Sequence, residues 1–145
     1  MRVLVLNGPN LDRLGTRETE VYGHASLGEI ARDLRAAFPD LDLDVQQHNG
    51  EGALLDALHA AERDGVAGVV FNPGAYGHTS LALRDAIAAL AVPVVEVHLS
   101  NVFAREAFRQ TLVLAGVCRG VISGLGADGY ALALRYLRDH PGPDA

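Results

Sequence analysis

Side chains that can transfer protons or bind small polar molecules stand directly after three strand-like segments of the sequence. Residues Asn7–Asn10 follow the first segment, and residues Asn72–Ser80 follow the third. His98 and Ser100 follow the fourth, with Glu96 two residues before His98. Because side chains alternate along a strand, Glu96 and His98 lie on one face, where a carboxylate and an imidazole can act together in proton transfer.

Further charged and phenolic groups stand in the connecting segments. The long loop Asp12–Ala25 contains Arg17 and Tyr22, and Arg105 and Arg109 follow the fourth strand. Each group alone has a plain structural explanation, since Asn-Gly turns are common, a tyrosine can simply pack, and arginines four residues apart can form a solvated helix stripe. In a parallel sheet, however, ligands bind at the carboxyl ends of the strands. The convergence of all these side chains there favours a functional crevice.

The segments that must position these groups alternate between strand and helix patterns. The predicted strands are Arg2–Leu6, Leu43–Gln47, Ala67–Phe71, Pro93–Val97 and Gly120–Ser123. The predicted helices are Ser26–Phe38, opened by a Ser26–Glu29 capping box, Glu51–Arg63, Thr79–Leu90, Ala104–Leu112 and Ala127–Arg138. This alternation predicts an α/β fold, a doubly wound five-stranded parallel sheet with helices on both faces. We expect one domain over residues 1–145, with a frayed tail at 140–145.

The composition argues against several classes of protein. All 12 basic residues are arginine, and the absence of lysine excludes a Walker-type phosphate loop and a lysine Schiff base. A formal net charge of −6 argues against a general binder of nucleic acid or anionic membranes, and no apolar run is long enough to span a bilayer. Cys118 is the only cysteine and cannot form an internal disulfide, so we expect a cytoplasmic location.

Several blocks of the sequence resemble type II 3-dehydroquinate dehydratases. The opening block LNGPNL at residues 6–11, followed by Arg17–Glu18 and Tyr22–Gly23, is similar to the opening signature of that family. The later similar blocks, in the family's order, are FNPGAYGHTS at 71–80, LRDA at 83–86, EVHLSN at 96–101, AREAFR at 104–109 and GLGADGY at 124–130. The resemblance covers essentially the whole chain. It implies a flavodoxin-like subunit that dehydrates 3-dehydroquinate to 3-dehydroshikimate in the shikimate route of aromatic amino-acid biosynthesis.

The resemblance also implies a mechanism, namely anti elimination of water through an enolate, with no metal, no cofactor and no covalent imine. Tyr22 matches the family's base, and Arg17 matches the cation that favours its phenolate form. Asn10 matches the residue that stabilises the enolate oxygen through a held water. His98 matches the general acid that protonates the leaving hydroxyl, and Glu96 would orient this imidazole.

Other matched positions imply how the substrate is held and how the protein assembles. Leu99 and Ser100 match the carboxylate site, and Asn72, His78 and Arg109 match groups that hold the carboxylate and the ring hydroxyls. Arg105 matches an arginine that closes the loop over the site, and Asp85 matches a residue that reaches the ring from a neighbouring subunit. The family implies a homododecamer built from trimers.

The sequence departs from the family pattern at a few places. Thr19 replaces a usual proline, which predicts a looser lid loop, and Gly77 replaces a usual threonine next to His78. Phe103 replaces a frequent histidine, and residues 110–118 match poorly. None of these positions carries the assigned chemistry, so we expect effects on packing rather than on reaction type.

Three alternatives remain open at the level of the sequence. Residues Gly124–Gly129 fit the G-x-G-x-x-G pattern of dinucleotide-binding proteins, but only 16 residues follow, too few for the next strand and its acidic residue. A metal-dependent hydrolase could use His48, His59, His78 and His98, although none of them forms a helical His-x-x-x-His pair. The third alternative is a non-enzymatic flavodoxin-like binding or signalling module.

Overall fold

The sheet that carries the candidate site has five parallel strands. The structure is a computed structural model and describes residues 1–143. Its strands are β1 (Arg2–Asn7), β2 (Asp42–Gln47), β3 (Gly68–Asn72), β4 (Val94–His98) and β5 (Gly120–Ser123). Their spatial order is β2-β1-β3-β4-β5, and every neighbouring pair is parallel. This is the order of flavodoxin-like folds, and it confirms the predicted fold class.

Helices cover both faces of the sheet and bury a separate apolar cluster on each. The α-helices are α1 (Thr19–Tyr22), α2 (Leu27–Ala37), α3 (Glu51–Arg63), α4 (Leu81–Ala89) and α5 (Asp128–Asp139). Along β1, Val3 and Val5 join the cluster with α2 and α5, whereas Leu4 and Leu6 join the cluster with α3 and α4. Alternating side chains of one strand therefore anchor two helix layers, and both faces of β1 are buried.

Helix starts follow the predicted capping chemistry. The Oγ atom of Ser26 accepts a hydrogen bond from the backbone N–H of Glu29 at 3.1 Å, which opens α2 as predicted. Ser80 caps α4 in the same way, its Oγ accepting from the N–H of Leu83 at 3.0 Å. This second cap makes α4 begin two residues later than predicted.

The predicted helix Ala104–Leu112 is wrong. The structure instead has two short 3₁₀ turns, Val102–Ala104 and Ala107–Arg109, separated by an extended residue at Glu106. The physical reason is that the segment has no apolar stripe to bury, since Phe103 and Phe108 are 59% and 64% exposed. Arg105 and Arg109 therefore do not share one helix face.

The chain after α5 is attached to the sheet further than predicted. The backbone N–H of Gly142 donates to the carbonyl of Ala67 at 2.8 Å, although we expected fraying from His140 onward. Residues 144 and 145 of the predicted tail lie outside the described residues. Within residues 1–143, no helix combines the length and the hydropathy needed to cross a membrane.

Candidate active site

A pocket opens at the carboxyl ends of β1, β3 and β4, where the sequence predicted a functional crevice. It holds about 610 Å³ and is open to solvent on one side. Ten of the twelve predicted site residues line it: Asn10, Arg17, Tyr22, Asn72, His78, His98, Leu99, Ser100, Arg105 and Arg109. The parallel register explains the convergence, because Asn7 of β1 pairs with Asn72 of β3, so the two strands end level.

The other two predicted residues lie outside the lining of this pocket. Glu96 is fully buried beneath His98. Asp85 lies on α4 with 78% of its side chain exposed, and one carboxylate oxygen is 3.5 Å from Nη1 of Arg84. Asp85 therefore does not contribute to the pocket of its own chain.

Tyr22 stands between two arginines at the edge of the pocket. Its hydroxyl oxygen accepts a hydrogen bond from Nη2 of Arg17 at 3.3 Å. The guanidinium carbons of Arg17 and Arg105 lie 4.3 Å and 5.1 Å from the centre of the Tyr22 ring. A cation next to a phenolic oxygen stabilises the negative charge that this oxygen carries when it is ionised.

His98 and Glu96 form a buried pair on β4, as the alternation of the strand predicted. Nε2 of His98 lies 2.7 Å from Oε1 of Glu96, and the two residues are only 5% and 0% exposed. The carboxylate thereby fixes the ring and leaves Nδ1 as the second nitrogen. Oε2 of Glu96 is buried and has no hydrogen-bond partner among residues 1–143.

Gly77 packs directly against this pair. A Cβ atom at Gly77 would lie 3.2 Å from both Oε1 of Glu96 and Cε1 of His98, and 2.9 Å from Cγ of Pro73. The missing side chain lets the loop after β3 approach the pair closely. The departure at this position leaves His78 in the pocket lining, where its ring stacks on His98 with centroids 5.8 Å apart.

The opposite side of the pocket offers groups suited to a small anion. Nδ1 of His78 donates to the carbonyl of Thr111 at 2.9 Å, since a carbonyl can only accept, and Nε2 is the ring nitrogen that remains. Nη1 of Arg105 donates to Oγ of Ser100 at 3.1 Å. Arg109 adds a second guanidinium, so cationic and polar donors surround this end of the cavity.

Glu106 is a supporting residue that the sequence analysis missed. Its Oε2 atom lies 2.5 Å from Nε of Arg109 and 3.9 Å from Nε of Arg105. The hydrogen bond from Arg109 lowers the pKa of Glu106, so its carboxylate stays charged beside both guanidinium groups. Its position between the two arginines in AREAFR was the available signal, but the predicted helix placed it on the opposite face.

Asn10 has the backbone conformation expected of a constrained functional position. Its φ angle is +67°, the only positive φ at a non-glycine residue in the described part of the chain. Its backbone N–H donates to Oδ1 of Asn49 at 3.0 Å, which fixes the loop after β1 against the loop after β2. Asn49 is a second supporting residue that the sequence did not reveal.

Gly8 lets the loops after β1 and β3 meet, and Gly8→Ala should damage the site. A Cβ atom at Gly8 would lie 2.4 Å from the carbonyl oxygen of Pro73, and backbone cannot move aside cheaply. We expect a loss of about 1–3 kcal/mol in the free energy of unfolding. Gly52→Ala is the matched control, because it adds a Cβ to α3 where nothing lies within 4 Å. It should be neutral or stabilising by up to about 1 kcal/mol in urea unfolding. Equal behaviour of the two variants would contradict this interpretation.

Within residues 1–143, His, Cys, Asp and Glu side chains form no group of three or more that could hold a metal ion. A family model described as dehydroquinase class II matches residues 1–138. The chain belongs to this family. The 3-dehydroquinate dehydratase of Pelodictyon phaeoclathratiforme is 57% identical over 138 residues, which cover 94% of this chain and 91% of that protein.

Solved structures agree with the family assignment. The type II dehydroquinase of Butyrivibrio crossotus is 40% identical, with a TM-score of 0.93, and covers 95% of this chain and 97% of its own. The type II dehydroquinase of Propionibacterium acnes is 41% identical, with a TM-score of 0.91 and coverage of 95% and 96%. The resemblance that the sequence blocks carried is therefore confirmed. Dehydroquinase membership favours the dehydratase hypothesis over the three alternatives.

Proposed function

We propose that this protein removes water from 3-dehydroquinate to give 3-dehydroshikimate, in the biosynthesis of aromatic compounds. Dehydroquinate dehydratase activity follows from membership in the class II dehydroquinase family. The observation that carries the finer proposal is that Tyr22, held by Arg17, and His98, held by Glu96, line one small pocket. A base and an acid at one site are what an elimination of water requires.

The proposed reaction moves two protons. Tyr22, as a phenolate, takes a proton from the carbon next to the ketone, and the electron pair moves onto the ketone oxygen as an enolate. Asn10 stabilises that oxygen, through a water as in the family. The enolate then re-forms the ketone while the neighbouring hydroxyl leaves, and His98 donates the proton that converts it to water. The product carries a carbon–carbon double bond conjugated with the ketone, and the mechanism uses neither a metal nor an imine.

The anionic end of the pocket is proposed to hold the substrate carboxylate. The backbone N–H groups of Leu99 and Ser100, with the Ser100 hydroxyl, would donate to the carboxylate, and Asn72, His78 and Arg109 would hold the carboxylate and the ring hydroxyls. Arg105 is proposed to close the lid loop. Its contacts support this role, because it donates to Ser100 at the end of β4 and also lies over the ring of Tyr22.

We further propose that the protein is cytoplasmic and assembles as a homododecamer of trimers, in which Asp85 reaches the pocket of a neighbouring subunit. The exposure of Asp85 on α4 and its distance from its own pocket support this assignment. The pocket of one chain would then be incomplete without a second copy.

Mixed assemblies of Asp85→Ala and Tyr22→Phe subunits should recover activity that neither variant has alone. If each site takes Tyr22 from one subunit and Asp85 from another, about a quarter of the sites in an equal mixture receive both intact residues. The measurement is turnover by mixed assemblies isolated through two different affinity tags. The matched control mixes Tyr22→Phe with His98→Ala, which lie in the same pocket of one chain and should show no recovery. Absence of recovery in verified mixed assemblies of the first pair would exclude a shared site.

The function itself is tested by adding 3-dehydroquinate and following the ultraviolet absorbance of the conjugated enone. We expect turnover that persists in the presence of a strong chelator. Borohydride added together with substrate should leave activity intact and add no mass to the protein, because the chain has no lysine to form an imine. No enone formation would overturn the proposed function, and a mass gain of one reduced substrate would overturn the proposed mechanism.

A further inference from the structure

A buried hydrogen-bond chain links α5 to the pocket. Tyr130 is fully buried in the core, and its hydroxyl donates to Oδ1 of Asn7 at 2.6 Å. The same hydroxyl accepts from Nδ2 of Asn72 at 2.9 Å. Asn7 and Asn72 are the last residues of β1 and β3, and Asn72 lines the pocket.

The direction of this chain is fixed at both ends by backbone groups. Nδ2 of Asn7 donates to the carbonyl of Gln46 at 3.1 Å, and a carbonyl can only accept. Oδ1 of Asn72 accepts from the backbone N–H of Gly74 at 3.2 Å, and an N–H can only donate. Between these ends, the Tyr130 hydroxyl must donate toward Asn7 and accept from Asn72.

The hydroxyl of Tyr130 keeps its proton over the working pH range. Burial raises the pKa of Tyr130 well above its ordinary value. The donor that reaches Asn7 is therefore present whenever the protein is folded, and the chain does not reverse with pH.

We propose that Tyr130 is a positioning residue that fixes the amide of Asn72, so that one amide N–H is presented to an oxygen atom of the bound substrate. One N–H of Asn72 is taken by Tyr130 and Oδ1 is directed to Gly74, which leaves the second N–H for a ligand. The inference rests on the proposed function, because it assumes that the substrate occupies this pocket. It adds a residue from the opposite end of the chain to substrate recognition.

Removal of the Tyr130 hydroxyl frees the amide of Asn72 to rotate. Tyr130→Phe should lower kcat/KM for 3-dehydroquinate by about 3–10-fold, mostly through a higher KM, because a binding contact is weakened. Tyr136→Phe is the matched control on the same helix. Its ring stacks on His140, away from the pocket, and its removal of a hydroxyl should leave both constants unchanged.

A double-mutant cycle separates positioning from general destabilisation. If Tyr130 acts through Asn72, Tyr130→Phe should cost nothing further when Asn72 is already alanine. Equal losses in both backgrounds would overturn the inference. If Tyr130→Phe does not fold, Asn7→Ala removes the acceptor and should give the same rise in KM, and an unchanged KM in that variant would overturn the inference too.

The outcome is distinguishable from failure of the proposed function. Failure of the wild-type protein to form the enone contradicts the function alone. The side-chain torsion of Asn72 is then compared between crystal structures of the wild type and of a folded chain variant. A changed torsion in Tyr130→Phe or Asn7→Ala, with Tyr136→Phe unchanged, supports the inference, and an unchanged torsion in every chain variant overturns it.

Discussion

Tyr22→Phe should lower kcat by about 10²–10⁴-fold, the usual effect of losing a general base. The substitution removes one oxygen atom and keeps the ring, which packs against the apolar cluster under α2 and α5. The fold should therefore be retained, and the unfolding transition should barely move. Tyr136→Phe on α5 controls for the loss of a tyrosine hydroxyl outside the pocket. A Tyr22→Phe variant with near wild-type turnover would show that the base lies elsewhere.

Arg17→Ala should also be strongly impaired, but its activity should recover in part as the pH rises. The hydroxyl of Tyr22 remains in this variant, while the guanidinium that donates to it at 3.3 Å is gone. A phenol in water ionises only near pH 10, so alkaline solution supplies the phenolate that the cation no longer favours. Tyr22→Phe should show no such recovery, because it has nothing to ionise.

Rate measured against pH for both variants separates the two roles. Recovery in Arg17→Ala should be incomplete, since Arg17 also packs over the ring and ties the lid loop to it. A flat profile for Arg17→Ala would mean that Arg17 serves loop closure and not the ionisation of Tyr22. Parallel recovery in Tyr22→Phe would mean that another group titrates and carries the chemistry.

Short-range patterns were enough to predict most of the elements that position the site. Strand alternation predicted that Glu96 and His98 share a face, because that relation depends only on two positions along one strand. The capping box at Ser26 predicted the start of α2, since it too is local. The carboxyl-end rule then predicted the pocket, because it follows from strand order and not from side-chain detail.

The remaining features depend on contacts between distant parts of the chain. Asn7 and Tyr130 are 123 positions apart, and no local pattern relates them. The GLGADGY block at residues 124–130 was noticed for its glycines, although its tyrosine is the residue that reaches the site. The segment after β4 was mispredicted because helix propensity was not opposed by any local breaker, whereas the absence of a core face to bury decided the structure.

His98→Ala should reduce kcat by about 10²–10⁴-fold, because the leaving hydroxyl loses its proton donor. Glu96 acts on the substrate only through His98, since it is fully buried and bonded to Nε2 at 2.7 Å. Glu96→Gln keeps the side-chain shape and an oxygen that can accept from Nε2, so its loss of kcat should be smaller than that of His98→Ala. The double variant should be no slower than His98→Ala alone.

Glu96→Gln should lower activity without lowering stability. Oε2 of Glu96 is buried with no hydrogen-bond partner in the described part of the chain, so the carboxylate charge is only half compensated inside the fold. An unpaired neutral amide is less costly to bury than an unpaired charged oxygen, and Tm should therefore hold or rise. The carboxylate is then retained for the charge that it presents to the imidazolium of His98. Thermal unfolding and kcat are measured on the same preparation. A fall in Tm that matches the fall in kcat would instead make Glu96 a packing residue.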